Sequence, residues 1–175
     1  MPDPNALKAV VRRQLMVHEG ARRQVYLDTT GHKTVGVGFN MDKPDAMVIF
    51  EKLEIPGFQS VYSGQRLLNL KEIHALLDYE VESAIDAARA SGVGWENLSL
   101  PRKAVIVDLI FNLGAAGFEK FVNTRTLIER GNFAEAGRAL MHSKWAGQVK
   151  SRAKHLVTML QDDIDFETML EKLYG

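Results

Sequence analysis

Apolar residues at Leu7, Val10, Val11 and Leu15 recur at spacings of three and four, which predicts an amphipathic helix over residues 5–18. Gly20 stands where a helix C′ residue belongs and closes it. The period then changes. Val25, Tyr26 and Leu27 form a short apolar run, Asp28-Thr29-Thr30-Gly31 supplies turn chemistry, and Lys33 to Phe39 resumes with alternation, so the stretch reads as a β-hairpin. Alternation puts Val35, Val37 and Phe39 on a core face and Thr34, Gly36 and Gly38 on the other. That second face, a hydroxyl followed by two residues without side chains, is what a groove needs if a bulky ligand is to lie against the backbone.

From Asn40 to Gly64 the pattern loosens, with Pro44, Pro56, Gly57 and Gly64 punctuating short apolar pieces, and it predicts loop with one short helix over Ala46 to Leu53. Asn69 followed three residues later by Glu72 matches a capping box with Asn as the first member. Ile73, Leu76, Leu77, Val81, Ala84, Ile85 and Ala88 follow at helical spacing, giving a helix from Leu70 to about Ala90 that Gly92 and Gly94 end. At 1.5 Å per residue it spans roughly 30 Å, enough to connect two lobes. Pro101 opens the next helix, and the nearly unbroken apolar run from Ala104 to Leu113 marks it as buried on all sides. Asn112 is the polar residue in that run; a buried amide satisfied by backbone is the plain reading of it. Shorter helices are expected over 124–130, 133–141, 151–160 and 165–173, with Asn132 and Ser143 as caps. The fold class is therefore α+β and a single domain over 1–175. It comprises a small N-terminal lobe over about 19–68 with the hairpin, a connecting helix over about 70–90, and a helical C-terminal lobe over about 91–175 joined by helix 5–18, with a cleft between the lobes.

Composition narrows the function classes. The chain has 175 residues, no Cys, 22 Lys and Arg and 22 Asp and Glu. No apolar run reaches the length of about 18 residues that a membrane span needs. The opening MPDPNALKAVVRRQ lacks the basic and apolar regions of a secretory signal, so export by another route or a place in a larger particle is expected. Zero net charge hides an asymmetry: ten Lys and Arg against four acids between Pro101 and Leu160, then one Lys against five acids from Gln161 onward. A basic stretch attracts an anionic polymer, though an ordinary solvated helical surface reads the same way. Nucleic acid ranks low, since no interleaved aromatics or nucleic-acid motifs occur. His18, His32, His74, His142 and His155 show no metal-ligand spacing and read as surface or packing residues.

The chemistry concentrates between His18 and Phe39. Glu19 ends a helix, Asp28 lies nine residues on, and Thr34 six beyond that. The negative end of a helix dipole opposes a carboxylate at Glu19 and favours its protonated form. One protonated and one ionised carboxyl flanking a groove are the minimum equipment for cleaving a glycosidic bond. Turn-adjacent acids are more often solvated or capping groups, and the spacing alone favours that plainer role.

Glu-Gly, then Val-Tyr-x-Asp-x-x-Gly, then Thr-Val-Gly-Val-Gly resembles the active-site signature of the T4-type phage lysozymes, glycoside hydrolase family 24. The resemblance continues through the helix after Asn69, Phe111-Asn112-Leu113-Gly114, and Ser143-Lys144-Trp145 followed by Gln148 and Arg152, so it covers nearly the whole chain. It implies a two-lobed lysozyme-like fold and a muramidase that hydrolyses the β-1,4 bond between N-acetylmuramic acid and N-acetylglucosamine in peptidoglycan, lysing the bacterial wall. Glu19 would be the general acid, and Asp28 with Thr34 would hold water on the opposite face in an inverting reaction. Gly36, Phe111, Asn112 and Gln148 would meet the substrate, and Arg152 would be the structural partner of Glu19. The implied protein is a monomer, or part of a virion, that waits in the host cytoplasm and acts on the periplasmic wall. Many members carry His where this chain has Phe39, a departure that bears on polar contacts at the hairpin exit. A lytic transglycosylase and a non-catalytic wall-binding or virion scaffold module are the competing classes.

Overall fold

A computed structural model describes residues 3–175. Its elements are α1 (Pro4–Glu19), β1 (Arg22–Leu27), β2 (Lys33–Gly36), β3 (Phe39–Asn40), α2 (Ala46–Lys52), α3 (Phe58–Tyr62), α4 (Leu70–Ala90), α5 (Leu100–Glu119), α6 (Val122–Glu129), α7 (Phe133–Met141), α8 (Lys144–Val149), α9 (Ser151–Asp162) and α10 (Phe166–Tyr174). A mainly helical chain with one small antiparallel sheet is the α+β class expected from the alternation of periods. The chain divides into two compact units: Leu15–Glu80, and the described residues up to Gln14 together with Val81–Gly175.

The unit Leu15–Glu80 holds the sheet. α1 stops at Glu19, and Gly20, at φ 72°, donates its N–H to the Met16 carbonyl, the left-handed termination that the sequence signals. The hairpin differs from expectation in its second half. One strand from Lys33 to Phe39 does not form: the backbone turns at Gly36 and Gly38, with φ of 67° and 69°, and Phe39–Asn40 returns as a third strand paired Thr34 with Asn40 and Val35 with Phe39. Alternation therefore holds only to Gly36, because two left-handed residues reset the side-chain period. Val35, Val37 and Phe39 are all buried, as the apolar pattern requires. Phe39 packs against Phe50, Phe50 against Phe58 and Phe58 against Tyr62, so α2 and the additional helix α3 close an aromatic core under the sheet. The capping box at the head of α4 is reciprocal: Asn69 N–H donates to Glu72 Oε1 at 2.9 Å, and Glu72 N–H to Asn69 Oδ1 at 2.8 Å.

The second unit is helical around α5. Ala104 to Ile110 are all buried, including Asp108. Ser99 caps α5 by accepting from Arg102 N–H, and Gly114, at φ 76° and ψ 161°, breaks the helix after Asn112. Of the two expected caps, Ser143 accepts from Ala146 N–H, whereas Asn132 precedes α7 with no side-chain bond to the helix. At ψ 71° its backbone is short of the extended conformation that a capping side chain needs. α8 is an addition to the expected set; six residues with a single cap carry too little periodicity to announce a helix.

Candidate active site

Asp28, Thr34 and Glu19 all belong to the unit that contains the sheet. Asp28 follows the last residue of β1, at the start of the turn that leads to β2. Its Oδ1 accepts three hydrogen bonds: Thr30 N–H at 2.8 Å, the Thr30 hydroxyl at 2.8 Å and His32 N–H at 2.9 Å. These fix the carboxylate within its own turn. Oδ2 is left with a wider neighbour, His32 Nδ1 at 3.9 Å. Burial works against ionisation here, but the three bonds, aided by the nearby imidazole, outweigh it and hold the carboxyl below the ordinary aspartate value. Asp28 is thus an ionised, oriented carboxylate with one oxygen committed and one available.

Thr34 is 3% exposed, and its hydroxyl donates to the His32 carbonyl at 3.0 Å. A hydroxyl has one proton and two lone pairs, so Thr34 is held as an acceptor toward anything that approaches its oxygen. Thr34 pairs with Tyr26 across the β1–β2 ladder, and Asp28 begins the turn two residues beyond Tyr26.

Glu19, half-buried at the end of α1, lies against the β2–β3 turn. A Cβ built on Gly38 would stand 3.0 Å from both Glu19 Cδ and Oε2. Tyr26 links the two acids electrostatically. Its phenol is held above the ordinary tyrosine value by burial first, then by the negative charge of Glu19 and, after the opposing Arg22, by that of Asp28. Arg22 stacks on the Tyr26 ring at 4.3 Å.

Gly36 has a different reason to be glycine from the one the alternation suggests. It is buried at φ 67°, and its Cβ direction meets Ile73 at 3.6 Å, so it answers a backbone turn against α4 and not the clearance of an open groove. Phe39 is 2% exposed, with Lys43 Nζ 4.5 Å from its ring centre. The hairpin exit is closed by aromatic packing of Phe39 against Phe50.

In the helical unit, Asn112 is exposed, not a buried amide; its Oδ1 accepts the Trp145 indole N–H at 2.8 Å. Phe111 beside it is half-buried and Gln148 is exposed. Arg152, nearly buried, places Nε 2.9 Å and Nη2 2.7 Å from Asp108 Oδ1, while Gln14 donates to Asp108 Oδ2 at 3.1 Å. Asp108 was not singled out by the sequence, although an acid inside a run of seven buried positions must have a partner.

Comparison with known families settles the kinship. The family model described as phage lysozyme matches residues 16–159. The chain belongs to the phage lysozyme family. The lysozyme-family kinship extends to curated relatives. A probable T4-type lysozyme 2 of Dictyostelium discoideum is 28% identical over 155 residues, 84% of this chain and 91% of that protein. A second, probable T4-type lysozyme 1 of the same organism, is 22% identical, covering 86% of this chain and 93% of its own length. The pre-baseplate central spike protein Gp5 of Enterobacteria phage T4 is 28% identical over 90% of this chain, which corresponds to 28% of that longer protein.

Within the family signature, the sequence pattern pointed to Glu19, Asp28 and Thr34, gave Gly38 a place in a groove and not beside Glu19, and passed over Thr30 and His32. Gly38 leaves room for the Glu19 carboxyl, and Thr30 and His32 bind Asp28. Only the turn chemistry of Asp28-Thr29-Thr30-Gly31 could have hinted at Thr30, since Asp and Thr both bond backbone and neighbours inside turns.

Proposed function

We propose that this phage-lysozyme-family chain is a muramidase that cleaves the β-1,4 bond between N-acetylmuramic acid and N-acetylglucosamine in peptidoglycan, without a metal or organic cofactor. Glu19 donates the proton to the leaving oxygen. Asp28, through Oδ2, and Thr34, through its hydroxyl oxygen, accept the two hydrogens of the attacking water, and Asp28 takes up a proton as the bond to carbon forms. The observation that carries this assignment is the division of labour at Asp28: three bonds on Oδ1 hold the group still, and Oδ2 stays available. Two acceptors around one water favour displacement by water over attack by Asp28 itself, so the reaction inverts, with the carboxyl groups about 6.5–9.5 Å apart in the working enzyme.

Phe111, Asn112 and Gln148 are assigned to saccharide contact, and Arg152 to steadying the Glu19 charge. The polymer is the partner, and the enzyme works as a monomer on the periplasmic face of the wall after reaching it from the host cytoplasm. The likeness to a phage T4 protein named for a pre-baseplate central spike favours, as a second reading, that the same activity is carried in a virion.

Replacing Glu19 by Gln keeps the shape and removes the proton. Turnover should fall by about 10²- to 10⁴-fold with folding unchanged, since general acid help has that size. Clearing of a peptidoglycan suspension by folded Glu19→Gln at the wild-type rate would overturn the assignment. Mass spectrometry of the digest separates the classes: reducing muramic ends for a hydrolase, 1,6-anhydro ends for a transglycosylase, no new ends for a binding module.

A further inference from the structure

Around Asp28 the hydrogen bonds can be counted proton by proton. The Thr30 hydroxyl lies 2.8 Å from Asp28 Oδ1 and 2.7 Å from His32 Nδ1. It has a single proton to give. Asp28 is ionised and so can only accept, which commits the Thr30 proton to Oδ1. The short contact to His32 then has to run the other way: the ring must donate, and the nitrogen facing Thr30 must bear a hydrogen. That condition is met by the imidazolium or by the neutral ring protonated on Nδ1, and not by the neutral ring protonated on Nε2. The same residue donates its backbone N–H to Oδ1 and accepts the Thr34 hydroxyl on its carbonyl. One residue therefore touches both members of the water-holding pair.

We propose that His32 is a positioning residue for the reaction, acting through a directed chain from His32 Nδ1–H to the Thr30 hydroxyl and from that hydroxyl to Asp28 Oδ1. The chain turns Oδ2 outward and holds it there. It does so without His32 touching the water or the sugar. Two acids act on His32: Asp28, whose Oδ2 is 3.9 Å from Nδ1, and Asp42. Asp42, just after β3, accepts from the Tyr62 hydroxyl at 2.6 Å and Lys33 N–H at 2.8 Å, and its carboxyl is lowered by those bonds, with a smaller contribution from His32. An imidazolium at 32 is within electrostatic reach of both acids, Asp28 and Asp42. The hydroxyl at 30 is what converts its charge into a direction.

This assignment rests on Asp28 being the water-holding carboxylate, but its test does not. Carboxyl carbon NMR of the whole protein follows the Asp28 titration without substrate, and nitrogen-15 correlation spectra report which His32 nitrogen carries hydrogen. Thr30→Val should raise the Asp28 midpoint by removing a direct bond. His32→Leu should raise it as well, although the backbone bond from residue 32 remains. His32→Asn, whose side-chain amide puts an N–H near the place of Nδ1 with no charge, should return it most of the way. In Thr30→Val, adding His32→Leu should change the midpoint by less than it does in wild type, because the chain is already cut and only the coulombic share of the imidazole is left to lose; a purely coulombic effect would add in full. In wall-clearing assays His32→Leu should lower kcat several-fold with KM little changed, and His32→Asn should recover it. A bare Nδ1 in folded wild type, additive midpoints, or no rescue by Asn would overturn the proposal. Should wild type fail to cleave peptidoglycan while the NMR pattern holds, the muramidase reading falls and the chain of bonds stands.

Discussion

Two glycines two positions apart on the hairpin share a left-handed backbone and differ in what a methyl group would strike. At Gly38 the new carbon would lie 3.0 Å from the Glu19 carboxyl, so Gly38→Ala should displace the acid and cut wall clearing by more than its loss of stability explains. Measuring the rate on protein shown folded by circular dichroism checks this; an unchanged rate would mean that Glu19 has room to spare. At Gly36 the obstacle is the backbone itself, since a β-branched residue at φ 67° costs about 1–3 kcal/mol before any packing against Ile73 is counted. Gly36→Val should therefore show first as a lower melting temperature. Both glycines were visible in the sequence, and alternation assigned them one common role. It could not foresee that the strand ends at Gly36, because the period of two persists in the letters after the backbone has turned.

Elements were legible where their ends are written in side chains. Asn69 and Glu72 satisfy each other's backbone N–H groups, and α4 runs from Leu70 to Ala90 as the apolar spacing and the two following glycines require. Asn69→Ala should cost about 1 kcal/mol, read as a lower urea midpoint with an unchanged slope. The cost should fall mainly on the entry to α4 in hydrogen exchange. Where ends are held by backbone alone the sequence is mute: α3 follows Gly57 at φ 74° with no side-chain cap, and its five residues leave no periodic signature. α5 was legible as buried, but its break was not. Gly114 reads as one more residue in an apolar helix until its φ of 76° and ψ of 161° are seen, and that break is what leaves Asn112 in the last turn before the bend, bonded to Trp145.

At the scale of the whole molecule, the helical unit is pinned by one charged group that is 0% exposed. Asp108 draws Gln14 from α1 and Arg152 from α9 onto α5, tying three segments far apart in the chain. Arg152→Met strands that carboxylate, and breaking such a buried pair costs about 3–5 kcal/mol, so the denaturation midpoint should drop sharply. Replacing both partners, Asp108→Leu with Arg152→Met, should recover much of the loss, since no charge is then left in the core. A single mutant as stable as wild type would show that water reaches the site.

The discontinuity of that unit sets an order on synthesis. Leu15–Glu80 is contiguous, so all its packing partners have left the ribosome once Glu80 has. The described residues up to Gln14 are made before that unit, yet they belong with Val81–Gly175, and Gln14 reaches its mate Asp108 only after some ninety further residues are made. A segment made before the contiguous unit is thus seated after it, and through that interval Leu7 and Val11, both buried in the finished molecule, lack part of their eventual cover.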